Sequence, residues 1–247
     1  MGENGSPARL GAEMLAGVNF TGVNLPEMFA RVNIKAVTVR TAYHHGDLRN
    51  ALVAAAAELA DQGGPAAVTI RAAARAVGVT PTAAYRHFKN HLELLGAARA
   101  YALTQMGDAM RARLAAVEPR DDPAEAAIAR MDAMGRGYVD FALSRPGLFR
   151  SVFIDVAKPA NAEEIEGPHM MLVRGVDELI ALGFVGEESR VGVEVASWSL
   201  VHGLALLMLD GPLSRLPEAE RQAVVEQTLD TFVRTFWAAR ANFRQGT

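Results

Sequence analysis

The stretch Thr69-Ile70-Arg71-Ala72-Ala73-Ala74-Arg75-Ala76-Val77-Gly78-Val79-Thr80-Pro81-Thr82-Ala83-Ala84-Tyr85-Arg86-His87-Phe88 decides how this sequence folds. Thr69 is placed to cap a short helix whose Ile70, Ala73, Ala74 and Val77 fall on one face. Gly78 ends it, because glycine accepts the positive φ that a tight corner demands. Thr80 starts a second helix, and Pro81 takes its first position, where a missing N–H costs nothing. That helix turns Ala84 and Phe88 inward and is expected to close near Lys89-Asn90. Two helices joined by so short a turn cross steeply. The crossing needs a small residue at the contact, Ala74, with Val77, Val79 and Ala84 filling the wedge. The result is a helix-turn-helix. Its second helix opens with short side chains, so a groove can come close to the backbone, and its free N–H groups favour phosphate. Tyr85, His87 and Lys89 offer donors suited to phosphates, whereas Arg86 is long enough to reach a base edge. An ordinary hairpin of an all-α protein shares the short turn, so the surrounding sequence must separate the two.

The charge distribution supports an anionic partner. The 247 residues carry a formal net charge of −3. Between Arg40 and His91, six basic residues stand against three acidic ones, a local net of +3 that leaves −6 on the rest. Four of the six histidines (His44, His45, His87 and His91) fall in the same segment. Half of the residues are apolar, enough for a sizeable core. There is no cysteine, which excludes disulfides, thiolate nucleophiles and cysteine-ligated metal centres. No secretory leader pattern opens the chain, and the uncharged run from Val195 to Leu209 is short for a bilayer. These features together lead us to expect a cytoplasmic protein with no membrane partner and no cofactor.

The wider string Gly78-Val-Thr-Pro-Thr-Ala-Ala-Tyr-Arg-His-Phe-Lys-Asn90, followed by Leu92-Glu93-Leu94-Leu95, resembles the DNA-binding domain of tetracycline-repressor-like (TetR) regulators. Tyr43-His44-His45-Gly46-Asp47-Leu48-Arg49 is similar to the approach to the first helix in that family, so the resemblance covers about residues 43–100. It implies phosphate contacts from Tyr85, His87, Lys89 and Thr80, together with Thr69 on the DNA-facing side. It also implies that Pro81, Thr82, Ala83 and Arg86 face base edges. His91 departs from the charged residue usual after the Lys-Asn pair. Tyr138-Val-Asp-Phe-Ala-Leu-Ser-Arg-Pro-Gly-Leu-Phe-Arg-Ser-Val-Phe153 and Ser197-Trp-Ser-Leu-Val-His-Gly-Leu204 resemble a family branch with a Trp-x-x-x-His-Gly string in its C-terminal domain. The implied partners are double-stranded operator DNA, a small-molecule effector and a second copy of the chain.

Outward from this centre the chain reads as all-α: a three-helix DNA-binding domain over 41–91 and a larger effector-binding and dimerisation domain over 92–247. Residues 1–40 are rich in Gly, Asn and Pro and read as a mobile or loosely packed extension, or as a start placed too early, with Met28 close to the ordered pattern. Helices are expected over 47–61 with Asp47 as cap, then from Thr69, from Thr80, and over 91–117, 124–144, 147–157, 163–182, 187–210 and 217–243. Phe141, Phe149, Phe153, Met170, Trp198 and His202 are candidate ligand contacts, since clustered aromatic and methionine side chains line apolar pockets. The plainer reading makes them core, with His202 satisfied by a neighbouring carbonyl or hydroxyl. Val191, Val195, Trp198, Val201, Ala205 and Met208 form one helical stripe, and Leu229 and Phe232 of the last helix join them in a possible dimer interface. His44-His45-x-Asp47 lacks a third metal ligand, and Ser197, Ser199 and His202 lack a nucleophile elbow, so neither metal nor catalytic residues are assigned. The rival reading is an all-α carrier or enzyme for an apolar small molecule.

Overall fold

The computed structural model describes the backbone of residues 46–153 and 167–245, and all described residues belong to one compact unit. The described chain is helical and contains no strand. Its helices are α1 (Gly46–Gly63), α2 (Ile70–Val77), α3 (Pro81–Tyr85), α4 (His91–Ala115), α5 (Pro123–Ser144), α6 (Pro146–Val152), α7 (Pro168–Ala181), α8 (Arg190–Leu209) and α9 (Glu218–Gln245). Short 3₁₀ turns at Pro65–Ala67, Glu187–Ser189 and Pro212–Arg215 connect some of them. The expected extension over 1–40, His44, His45 and the Asp47 cap lie outside the described residues or side chains.

Three boundaries differ from the sequence expectation. The second helix of the motif ends at Tyr85 rather than near Lys89. Arg86 N–H reaches only Ala83 O (3.3 Å) and His87 N–H reaches Ala84 O (3.0 Å), a tightened last turn that swings Phe88 into the core. The helix after the first ring-rich segment stops at Val152, with Phe153 as its cap. Extended Gly167 precedes α7, which starts at Pro168 rather than at 163.

α1, α2 and α3 pack around Leu52, Val53, Ala56, Ile70, Ala73, Ala74, Ala84 and Phe88, all nearly closed to water. Alanine dominates this small core because only short side chains let such short helices cross closely. α4 lies against both α1 and α5, carrying the packing from the helix-turn-helix into the body. α5 is the hub of the body, in contact with α4, α6, α7, α8 and α9. Burying one fully exposed Leu or Phe is worth roughly 1.5–3 kcal/mol, so Leu148, Phe149 and Leu179, at zero exposure, are strong anchors. Ion pairs tie helix to helix at the rim: Arg113 to Asp140 at 2.6 Å, Arg136 to Asp230 at 2.8 Å, and Arg130 to Glu178.

Candidate nucleic-acid interface and ligand site

Thr69 Oγ1 accepts the N–H of Ala72 at 3.0 Å and so caps α2. Gly78 sits at φ 79°, ψ 27°, and the next residue, Val79, donates to Ala74 O at 2.9 Å. Only glycine takes that left-handed corner without strain. Thr80 Oγ1 accepts from Ala83 N–H at 3.3 Å, with Pro81 at the first helical position. The motif is therefore held by its own threonines and glycine, as the sequence indicated.

Burial divides the motif in two. Ala84 and Phe88 are closed to water, and the Arg49 guanidinium lies 4.9 Å from the Phe88 ring centroid. Thr69, Thr80, Pro81, Thr82, Tyr85, Arg86 and Lys89 are exposed, and Ala83 and His87 are half-buried. Tyr85 is 48% exposed, so its ring and hydroxyl are open to a partner. From Gly63 to Leu92 there are four basic residues, all exposed (Arg71, Arg75, Arg86 and Lys89), and no carboxylate. All the residues expected to meet DNA thus belong to one uncompensated cationic segment. Sequence reasoning missed the brace behind it. Asn90 Oδ1 accepts Glu93 N–H at 2.9 Å, and the Glu93 carboxylate accepts Lys89 N–H at 2.9 Å. The Asn-x-x-Glu spacing is a form of capping box and was available in the sequence.

A second group forms in the body. His202 on α8 lies among the rings of Phe153 (4.4 Å between centroids), Phe149 (5.6 Å), Trp198 (6.0 Å) and Tyr138 (6.5 Å). Tyr138 Oη lies 3.0 Å from His202 Nδ1, so a neighbouring hydroxyl does satisfy this histidine. Burial pushes the Tyr138 phenol well above its usual range and the His202 imidazole below its own, keeping both neutral. Four of the six expected ligand residues therefore meet: Phe149, Phe153, Trp198 and His202. Phe141 is buried but makes no ring contact with the group among the described residues, and Met170 is exposed on the first turn of α7. Tyr138 was not among the candidates, although its place four residues before Ala142 on α5 faces the same core. Ser197 Oγ donates to Val193 O at 2.7 Å, and Ser199 is exposed, so neither serine pairs with His202. No group of three potential metal ligands occurs among the described residues.

One short helix joins the two places. α6 carries Phe149, and its start lies against the end of α1. A Cβ on Gly147 would stand 2.2 Å from the Asp61 carbonyl oxygen, so this approach requires glycine. The Asp61 carboxylate accepts the N–H of Leu148 at 3.0 Å and also binds the Arg145 guanidinium, whose other end reaches Glu58 at 3.2 Å. At the far end, buried Arg99 of α4 donates to the Val152 carbonyl at 2.6 Å, answering one of the open acceptors of the helix terminus.

α8 has one face uncovered. Glu194, Ser197, Leu204, Ala205 and Met208 are buried, so of the expected stripe Ala205 and Met208 are core, while Val191, Val195, Trp198 and Val201 are half-buried. Leu206 (40%) and Leu207 (46%) are exposed, and a Cβ on Gly192 or Gly203 would meet nothing within 4 Å. Glu187–Leu209 is long and apolar enough by composition to cross a bilayer, though a third of its most apolar window is buried. Leu229, at 2% exposure, packs with Val139, Leu204, Met208 and Val225 inside the protomer, so it is core and not an interface residue.

Comparison with known proteins falls on the same two parts. Residues 52–98 match the model of bacterial regulatory proteins of the tetR family, and residues 131–232 match that of the tetracyclin repressor-like C-terminal domain. The chain is 28% identical over 186 residues to the uncharacterized HTH-type transcriptional regulator YobS of Bacillus subtilis, spanning 75% of this chain and 88% of that one. Among solved structures, it is similar to a Rhodococcus sp. RHA1 protein with unknown function (27% identity, TM-score 0.61, 81% of this chain and 98% of the other). A tetR-family transcriptional regulator from Streptomyces coelicolor shares the fold at 23% identity and TM-score 0.54, over 82% of this chain and 86% of its own. With a family model on each half, in the order that the helices present them, this chain belongs to the TetR family of DNA-binding transcriptional regulators.

Proposed function

We propose that the protein is a homodimeric repressor that leaves its operator when a small, mostly apolar effector occupies the ring cluster of its body. The observation that carries this reading is the double attachment of α6. Its Phe149 ring lies tilted against His202 with centroids 5.6 Å apart, and its first turn is bound to α1 through Asp61. A molecule seated among Phe149, Phe153, Trp198 and His202 displaces α6, and the Asp61 contact carries that displacement to α1 and the recognition helix behind it. Effector and DNA then favour different spacings of the two recognition helices, so each weakens the other.

In this reading, residues 41–91 form the DNA-binding domain and residues 92–247 the effector and dimerisation domain. Tyr85, His87, Lys89, Thr80 and Thr69 hold phosphates, and Pro81, Thr82, Ala83 and Arg86 face base edges. The open face of α8, with Leu206, Leu207 and the two uncovered glycines, meets its copy in the partner. A dimer explains an apolar helix with one bare face without placing it in a membrane, and the regulator works on DNA in the cytoplasm. We read it as a binding protein, not an enzyme. The test is a linkage measurement. A compound found by thermal-shift screening should weaken operator binding at saturation, and operator should weaken the compound by the same factor, typically about 5–150-fold. A compound that binds while operator affinity stays constant sinks the sensor reading.

A further inference from the structure

Arg49 lies on α1, outside the helix-turn-helix, yet the fold brings its guanidinium to within 4.9 Å of the Phe88 ring centroid. Phe88 is 1% exposed, so a cation helps to close its ring from water. A ring face attracts a cation through its quadrupole but answers none of its N–H groups. Arg49 has five such donors, and among the described residues no carboxylate takes them. Arginines of the body do engage carboxylates, as Arg113 does Asp140 and Arg136 does Asp132 and Asp230. Arg49 is half-buried as well, and a partly desolvated cation without a counter-charge favours an incoming anion. Phe88 stands in sequence between His87 and Lys89, both assigned above to phosphates, with about 3.8 Å between successive Cα atoms. A guanidinium resting on that ring therefore stands beside the phosphate-facing strip.

We infer that Arg49 is a phosphate clamp: seated on Phe88, it gives paired N–H bonds to one backbone phosphate of the bound duplex. The planar fork of arginine suits this task, because it rests on a ring and still presents two parallel donors to a phosphate. The clamp is built from two places. The cation comes from α1 and the ring from the link between α3 and α4, so it forms only when these elements hold their native packing. It adds α1 to the elements that touch DNA, and it reads no base. The inference needs the DNA-facing side assigned above but not the effector pocket. The competing role is cover alone, in which Arg49 shields Phe88 and meets no phosphate.

The salt dependence of binding separates the two roles. Affinity of the full-length protein for a fluorescein-labelled duplex of mixed sequence is followed by anisotropy across a salt series. Arg49→Met, which still covers the ring, should flatten the slope of log K against log salt by about 0.9 and weaken binding about eightfold at 0.1 M salt. Arg49→Lys keeps the charge without the fork, so it should retain the wild-type slope while binding more weakly. An unchanged slope in Arg49→Met, or a slope flattened equally in Arg49→Lys, overturns the clamp. Lys89→Ala, measured alongside, keeps the two readings apart: a slope lowered there and untouched by Arg49→Met rejects the clamp and leaves the interface standing. A second measurement uses only the wild type and does not depend on any variant folding. Phenylglyoxal labelling read by mass spectrometry should show Arg49 protected by the duplex, with Arg120, beyond the far end of α4, labelled equally with and without it. Equal labelling of Arg49 in both conditions overturns the assignment.

Discussion

Replacing Gly147 with alanine would set a Cβ 2.2 Å from the Asp61 oxygen, 2.5 Å from the Ala60 oxygen and 2.6 Å from the Asp61 carbonyl carbon. All three are backbone atoms, so no side chain can swing aside. Ordinary contact begins near 3.4 Å, and α6 and α1 must therefore part by about 1.2 Å. Overpacking of this kind costs about 1–3 kcal/mol. The 3.0 Å bond from Leu148 N–H to Asp61 is stretched beyond use at the same time, at a cost of about 1 kcal/mol. The sum is about 2–4 kcal/mol, which in a folded unit of roughly 200 residues lowers the thermal midpoint on the order of 10 °C. Calorimetry on the wild type and Gly147→Ala measures this directly. The variant should also answer effector weakly, since its α6 no longer bears on α1. An unchanged midpoint, or full effector response at a lowered one, would refute the contact or its role in coupling.

Three further outcomes follow from the same geometry. Lys89→Ala should weaken binding to every duplex and reduce the salt slope by about one unit, while Arg86→Ala should cost roughly 1–3 kcal/mol on the cognate site and relax one base pair; equal losses on cognate and random DNA for Arg86→Ala would remove it from base reading. Leu207→Glu should leave the protomer folded, because Leu207 is 46% exposed there, yet abolish the dimer and operator binding together in light scattering and gel-shift assays. Leu229→Glu, by contrast, should unfold the protomer. Burial lowers the His202 pKa below its ordinary 6.5, so the unfolded chain takes up the proton first. Stability is then full above about pH 6.5 and declines as pH falls toward the folded value. Burial lowers the His169 pKa in the same way, so urea titrations at several pH values should show that slope, and His202→Gln should reduce it without abolishing it.

Local chemistry was legible in the sequence, and distant pairing was not. Thr69, Gly78, Thr80 and Pro81 each act within four residues of their own position, so their roles could be read directly. The length of α3 could not, because the burial of Phe88 against α1 and the Arg49 contact decides where the chain turns, and that is a tertiary demand. Asn90 and Glu93 act over the same short range, three residues apart, so their capping contact was equally legible. The Asp61–Arg145 contact spans 84 residues and Arg99–Val152 spans 53, distances over which neither periodicity nor capping carries information. On α8, apolar residues surround the helix, so the pattern could not say which face is buried. The structure buries Glu194 and Ser197 and exposes Leu206 and Leu207. The aromatic residues were found by type, but Tyr138 joined them only through folding of α5 against α8.

In the proposed function an exposed, cationic helix-turn-helix reads a specific duplex in a two-fold assembly. Selecting fragments bound by the purified full-length protein from a genomic DNA library, in the presence of excess competitor DNA, tests it most directly. The expected result is enrichment of a two-fold related sequence whose half-sites lie about 34 Å apart or a multiple of it, and loss of that enrichment with Arg86→Ala. Fragments recovered without any shared sequence, or a shared sequence equally enriched by Arg86→Ala, would contradict it.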